Sequence, residues 1–343
     1  MNKTLVEYVW IGGNYELRSK TRVFNNTIET INDLPDWNFD GSSTGQSFGS
    51  NTEIIIKPCC LFNDPFRKHK HKLVMCDTYD INDKPLNTNH RFEANNIFNE
   101  YSYEKPWFGL EQEYFIMDTS NNIFKLFTSK PLGYSTALKQ GQYYCSVGSD
   151  NAFGRNIAEE HLKLCLDAGI NISGINSEVA PGQWEFQIGP CVGIEQGDHL
   201  WMARYILCKL SEKYNVSINF EPKPLKGDWN GSGCHTNVST KKMREGTEDK
   251  TGLDYIYEAI DKLKNNHLEH MKVYGSGNEE RMTGKHETAS YNEFTYSVGG
   301  RNTSIRIGNE TYKNKCGYFE DRRPSSNCDP YLVTSTIMKT IIS

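Results

Sequence analysis

Pro106-Trp107-Phe108-Gly109-Leu110-Glu111-Gln112-Glu113-Tyr114-Phe115-Ile116-Met117 is an aromatic, apolar run interrupted by two carboxylates. Such a run reads as a strand over 110–117, and a strand alternates faces with a period of two. Glu111 and Glu113 therefore point the same way, side by side. At about 4 Å and an effective dielectric near 20, the pair repels by roughly 4 kcal/mol, so something positive must offset it. Gln183-Trp184-Glu185-Phe186-Gln187 and Gly317-Tyr318-Phe319-Glu320-Asp321-Arg322-Arg323 repeat the pattern of acids set in strand-like apolar context.

Ahead of the opening run, short strands are expected over Val6–Ile11, Arg18–Val23, Glu53–Lys57 and Lys72–Asp77. A loop rich in Gly, Ser and Asp is expected over Leu34 to Gln46. The charged run Arg67-Lys68-His69-Lys70-His71-Lys72 reads as a solvated surface turn. Polar residues with Pro85 suggest a boundary between 82 and 91, giving domains 1–84 and 85–343. Helices are expected over Arg91–Tyr101, Gly154–Ala168, Gly197–Tyr214 and Leu253–His270, with further strands at 183–188, 216–220 and 303–307. Strands and helices interleave without a regular βαβ period, so the fold class is α+β.

Composition narrows the function. The chain has 343 residues and a net charge of −5, so no overall basic field favours nucleic acid or an anionic membrane. No apolar run approaches the roughly 20 residues of a membrane helix, and the N-terminus lacks a signal-peptide core. The ten cysteines include no C-x-x-C pair and read as free thiols of a reducing cytoplasm. There is no Walker-type phosphate loop, no dinucleotide-binding glycine fingerprint and no nucleophile elbow. Any ATP must bind in another way.

Two groups of residues carry chemistry. Glu111, Glu113, Glu178, Glu185 and Glu320, with His235 in the glycine-rich turn Asn230-Gly231-Ser232-Gly233-Cys234-His235-Thr236-Asn237, form a hard-donor set suited to Mg²⁺ or Mn²⁺. Arg281, Arg301, Arg306, Arg322 and Arg323 crowd the C-terminal third, and arginine's planar fork matches phosphate and carboxylate oxygens. Arginines and hard cations together are the parts of a phosphoryl-transfer site. Taken singly, each has a plainer reading: a wet strand face, a structural histidine, a surface ion pair. Thr283-Gly284-Lys285-His286-Glu287-Thr288-Ala289 reads as a flap able to bring Glu287 over a site. Asp40 stands before Gly41, a common turn pair, and on its residues alone reads as a turn.

Together these motifs resemble glutamine synthetase of the eukaryotic type (type II). Matching blocks run in order through almost the whole chain: Trp37 to Thr44, Asp64 to Arg67, Gly109 to Tyr114, Gln183 to Pro190, Asn230 to Asn237, His286 to Thr288 and Gly317 to Pro324. The resemblance implies an N-terminal β-grasp domain and a larger catalytic domain with a curved antiparallel sheet and flanking helices. It implies a homo-oligomeric ring, two stacked pentamers, with active sites between subunits, and a cytoplasmic enzyme. It implies a first metal on Glu113, Glu178 and Glu185 and a second on Glu111, His235 and Glu320. Arg301, Arg306 and Arg322 match positions holding phosphoryl oxygens and substrate, and Asn230, Gly231 and Arg281 match glutamate-binding positions. Asn237 and Ser239, with Arg306, Glu111 and Glu185, match the surroundings of the metal-bound nucleotide. Asp40 matches the aspartate that binds ammonium and takes its proton, and Glu287 the carboxylate that closes the ammonium site.

The implied reaction joins ammonia to L-glutamate through γ-glutamyl phosphate, with ATP as phosphoryl donor. Departures from the family pattern are Gly300 where Asn is frequent, Gly308-Asn309 where a Pro-Arg pair is usual, and Asp228 where Asn is common. They bear on pocket polarity and nucleotide grip. The chain also opens almost at its first strand, without the helical extension of many relatives, which bears on ring–ring contacts. A scaffold protein that had lost its metal ligands, or a ligase for a larger amine, fits less well: all six ligand positions, Asp40 and Glu287 are present.

Overall fold

Two sheets, built from strands of opposite character, organise the computed structural model, which describes residues 3–67, 70–119, 129–135 and 139–343. The first sheet contains β1 (Thr4–Ile11), β2 (Leu17–Phe24), β3 (Trp37–Asp40), β4 (Glu53–Asn63) and β5 (Lys72–Tyr79) in the order β2-β1-β5-β4-β3. β1 runs parallel to β5, and the other neighbours are antiparallel. β1 is buried on both faces because both are covered. Val6, Tyr8 and Trp10 pack with Ile28, Leu34, Ile56 and Val74 in a small core of their own. Val9 and Ile11 join the main core, which extends to the helices.

The expected loop over 34–46 holds a strand. Trp37 and Phe39 sit two apart on β3, where Trp37 meets Tyr8 edge-on at 5.4 Å and Phe39 stacks on Trp10 at 4.6 Å. Aromatic burial thus overrides the turn signals around it. The expected surface turn at 67–72 is also corrected at both ends. Arg67 pairs with Glu7 at 2.6 Å and Asp64 at 2.9 Å, and His71 Nδ1 accepts the Leu5 N–H at 3.0 Å. Lys68 and His69 lie outside the described residues.

The second sheet contains β6 (Trp107–Asp118), β7 (Lys130–Pro131), β8 (Ile172–Ser177), β9 (Gln183–Val192), β10 (Val216–Asn219), β11 (Cys234–Ser239), β12 (Tyr296–Val298), β13 (Ile305–Ile307) and β14 (Phe319–Asp321). Its order is β12-β13-β14-β11-β6-β9-β8, with β7 and β10 paired to β6. All pairs are antiparallel except β12–β13.

The helices are α1 (His90–Glu100), α2 (Arg155–Ala168), α3 (Glu195–Tyr214), α4 (Lys241–Glu245), α5 (Gly252–Asn265), α6 (His267–Met271), α7 (Asn309–Asn314) and α8 (Pro330–Ile342). The single helix expected over 253–270 is two, because Asn265-Asn266 are poor helix formers and Asn266 leaves the helical region at φ −111°. α2 stops at Gly169, whose φ of 84° is left-handed and caps the last turn.

β6 shows how the helices and the site share one sheet. Gln112, between the two glutamates, is fully buried and turned toward α3, where its Oε1 accepts from Arg204 Nε at 2.9 Å and Nη2 at 2.6 Å. Glu111 and Glu113 face the opposite side, which is left open as a cavity. Among the described residues, no helix is long and apolar enough to cross a membrane.

Candidate active site

Strand register assembles the site. Glu113 on β6 stands opposite Glu185 on β9, which stands opposite Asn176 on β8. Glu111 stands opposite Gln187 on one side and His235 of β11 on the other. Glu320 on β14 stands between Asn237 of β11 and Arg306 of β13. Residues from six strands thereby line a single cavity of about 570 Å³, together with Glu178, Asn230, Gly231, Arg281, Glu287, Arg301 and Arg322. Like charges directly opposite one another destabilise a sheet, so this arrangement needs compensating charge.

Part of that charge is built in. Glu320 accepts from Arg322 Nη1 at 2.6 Å and from Arg306 Nη1 at 2.9 Å. Arg322 also donates to the carbonyls of Arg301 at 3.0 Å and Glu287 at 3.3 Å, fixing both segments against the cavity. Arg281 donates to the carbonyls of Arg322 at 2.6 Å and Arg323 at 3.1 Å, and so braces the chain just beyond β14 while lining the cavity. Glycine is required beside it: a Cβ on Gly231 would fall 2.4 Å from the Pro222 carbonyl and 2.6 Å from Arg281 Cγ.

The two acid groups differ electrostatically. Glu111, His235 and Glu320 place one ligand atom each within 4.8 Å of one another. Burial, followed by the Arg322 charge, holds the His235 imidazole well below its ordinary range, so it is neutral and free to offer a lone pair. Two carboxylates and an imidazole fit a divalent cation. In the second group, burial pushes Glu113 up to about 7, against the pull of the Gly233 N–H, Arg281 and Arg322. Burial and then the Glu113 charge push Glu178 up to about 8. Burial and then Glu111, Glu113 and Glu178 raise Glu185 well above the usual carboxylate range. Glu113, Glu178 and Glu185 thus resist ionising together; unlike Glu111, His235 and Glu320, they do not bring one ligand atom each within 4.8 Å of one another.

The flap segment also lies at the cavity. Glu287 lines it, and both His286 (φ 54°) and Glu287 (φ 60°) hold left-handed backbone, which costs a non-glycine residue about 1–2 kcal/mol each. Arg301 lines the cavity as well.

A second cavity of about 460 Å³ adjoins the first, sharing Glu111 and Gln187 with it. Its walls are apolar and aromatic, including Trp107, Ile188, Pro190, Val238 and Tyr318. The Arg244 guanidinium lies over the Trp107 ring at 4.0 Å. Asn237 and Ser239 line this second cavity rather than the first. Asn237 Nδ2 donates to Glu111 Oε1 at 2.8 Å across the join.

Asp40 is the sequence-derived site residue that one chain brings to neither cavity. It is exposed and caps the turn that follows it, accepting from Thr52 Oγ1 at 2.7 Å, Ser42 Oγ at 2.8 Å and the Ser42 N–H at 3.0 Å. Those bonds, Thr52's foremost, pull its carboxyl down to about 2. Within one chain it is therefore the turn residue that its local sequence suggests.

Sequence reasoning missed Gln187, Asn176 and Gln183, which line the cavity among the acids. Gln187 hydrogen-bonds Glu185, and Gln183 donates to Glu113 Oε2 at 3.3 Å. Period-two alternation through Glu185 places both glutamines on its face and was the available signal. Trp107 and Arg244 carried no comparable signal, since they lie 137 positions apart and meet only when β11 pairs with β6.

Comparison with known proteins gives a consistent result. Residues 91–269, just over half the chain, match the family described as glutamine synthetase, catalytic domain. A protein of Acanthamoeba polyphaga mimivirus, provisionally named a glutamine synthetase, is 57% identical over 98% of this chain and 94% of its own length. A glutamine synthetase cytosolic isozyme of Pinus sylvestris is 50% identical over 99% of this chain and 94% of its own. A cryoEM structure of Plasmodium falciparum glutamine synthetase, 19% identical, shares the fold with a TM-score of 0.77, covering 98% of this chain and 71% of that one.

Proposed function

The chain belongs to the glutamine synthetase family, and on that premise we propose how its residues divide the ATP-dependent ligation of ammonia to L-glutamate. The observation that carries the reading is the convergence of Glu111, Glu113, Glu178, Glu185, His235 and Glu320 with Arg301, Arg306 and Arg322 on one cavity that opens into an apolar one.

ATP is assigned with its base in the apolar cavity, where Trp107, Tyr318, Asn237 and Ser239 offer stacking and hydrogen-bonding partners. Glu111 at the join marks the passage of the phosphates into the acidic cavity. Family membership brings dependence on ATP and a divalent metal. We assign Glu113, Glu178 and Glu185 to one cation and Glu111, His235 and Glu320 to another, each Mg²⁺ or Mn²⁺. Bound there, such ions supply positive charge that neutralises phosphoryl oxygens. Arg306 and Arg322, already fixed by Glu320, and Arg301 add preorganised donors for the group being transferred.

Asn230, Gly231 and Arg281 are assigned to L-glutamate, whose γ-carboxylate attacks the γ-phosphorus and releases ADP. Ammonia then attacks the acyl phosphate carbon, and phosphate leaves. Glu287 is assigned to close the ammonium site and exclude water, which hydrolyses an acyl phosphate in competition with ammonia. Asp40, remote from the cavity of its own chain, is assigned to the cavity of a neighbouring copy as the group that takes the proton from ammonium. That assignment calls for a homo-oligomeric ring with shared sites, such as two stacked pentamers, and for a β-grasp domain over 1–84 carrying Asp40 to a catalytic domain over 85–343. A cytoplasmic location accords with the cytosolic naming of plant relatives.

The test uses L-glutamate labelled with ¹⁸O in its γ-carboxylate, together with ATP and ammonium. The expected outcome is one glutamine per ADP and one labelled oxygen in the released phosphate. Unlabelled phosphate, or product formed only when ethylamine or a polyamine replaces ammonium, contradicts the assignment.

A further inference from the structure

We propose that Gln140 is a positioning residue that ties the turn carrying Glu287 to the loop carrying Asn230 and Gly231, so that the cavity is sealed only as that loop is ordered. The proposal rests on the ligase reading above and gives Gln140 no part in the chemistry itself.

Gln140 precedes Gly141, which lines the cavity. Its side-chain oxygen accepts the Asn230 backbone N–H at 2.7 Å, and its side-chain nitrogen lies 3.2 Å from His286 Nδ1. A backbone N–H can only donate, so the amide is oriented without ambiguity: oxygen toward Asn230, nitrogen toward His286. His286 Nδ1 then accepts, and the imidazole proton sits on Nε2, 3.3 Å from Asp228 Oδ1. One glutamine thus fixes the tautomer and the plane of the ring beside Glu287 while holding the backbone of a residue assigned to L-glutamate.

The segment carrying Gln140 is itself anchored. Gly141 N–H donates to the Val179 carbonyl at 2.8 Å, next to Glu178. Cys145 N–H donates to the Ser177 carbonyl at 3.0 Å, and Ser146 N–H to Ser177 Oγ at 3.1 Å. Gln140 therefore projects from a strut tied to the acid group, not from a free loop.

The turn needs such support. Left-handed backbone at two successive non-glycine residues persists only where the surroundings over-determine it. Arg322 Nη2 holds the Glu287 carbonyl at 3.3 Å, and Thr288 Oγ1 holds the Lys285 carbonyl at 2.8 Å. Neither reaches the Asn230 loop. Gln140 and Asp228 do, but the Asp228 side chain is 98% exposed, where an ion pair contributes little. The linkage therefore runs through Gln140.

The test compares the assembled wild-type enzyme with Gln140→Met, which keeps the side chain's shape and removes both bonds, with His286→Ala, and with the double variant. Glutamine formed and phosphate released are measured at saturating ATP and L-glutamate and limiting ammonium. Wild type is expected to give one glutamine per phosphate. Gln140→Met is expected to release several-fold more phosphate than glutamine, and its KM for L-glutamate rises about 5-fold, as loss of one hydrogen bond implies. The double variant is expected to be no more uncoupled than Gln140→Met alone, because both substitutions cut the same link. Should Gln140→Met fail to fold, Gln140→Asn, one methylene too short to span the gap, is measured in its place with the same expectation. One-to-one stoichiometry in the Gln140 variant, or uncoupling that multiplies in the double variant, overturns the proposal. A wild type that forms no glutamine overturns the ligase reading instead.

Discussion

At the scale of single residues, the cavity acids are poised between protonation and metal binding. Burial raises Glu113 to about 7 against the pull of the Gly233 N–H, Arg281 and Arg322, and burial followed by the Glu113 charge raises Glu178 to about 8. Between about pH 4.5 and 8 the folded metal-free protein therefore holds protons that the unfolded chain has released, and its stability falls as pH rises through that window. A cation binding there must displace those protons. Calorimetric titration with Mn²⁺ near about pH 7.5 is thus expected to give enthalpies that differ between phosphate and Tris buffers, reporting proton release, and to lose that difference above about pH 9.5. Buffer-independent enthalpies near neutrality would remove these two glutamates from the metal site. Glu320 instead accepts from Arg306 and Arg322, whose charges stand beside it.

The elements show what a period of two achieves and where local sequence is silent. β6 turns Glu111 and Glu113 to the cavity and Gln112 to Arg204, as the alternation of its residues dictates. β14 repeats the device: Glu320 faces the cavity, while Asp321 faces the core and accepts from Arg323 Nε at 2.9 Å, Arg323 Nη2 at 2.7 Å and Tyr274 Oη at 2.8 Å. Asp321 and Arg323 are both fully buried. Asp321→Asn leaves the arginine charge uncompensated and is expected to lower stability by about 3–5 kcal/mol, seen as a fall in Tm. A Tm within a degree or two of wild type (about the effect of a neutral surface change) would show that the pair does not hold β14. The acids were legible in their apolar flanks, and the long helices in their stripes. β3 was not, since Asp, Gly and Ser surround it and only the distant Tyr8 and Trp10 give Trp37 and Phe39 something to bury against. The break between α5 and α6 lay in two asparagines that a helical apolar pattern overrode.

For the whole molecule, the limits of legibility are those of distance. Nothing local to Gln140 announces that it meets both Asn230 and His286, and nothing local to Arg244 announces Trp107. The family resemblance supplied the metal, substrate and nucleotide roles as expectations. The fold adds the register that brings the ligand positions together and the join between the two cavities. Asp40 marks what one chain does not assemble, for it stays with its own turn. The account depends above all on six side chains, spread from Glu111 to Glu320, enclosing cations beside the nucleotide. Anomalous diffraction from crystals soaked with Mn²⁺ and ADP measures that directly. The predicted map has one manganese peak within bonding reach of Glu113, Glu178 and Glu185 and another within reach of Glu111, His235 and Glu320. A map with ordered ADP and no manganese at either group would contradict it.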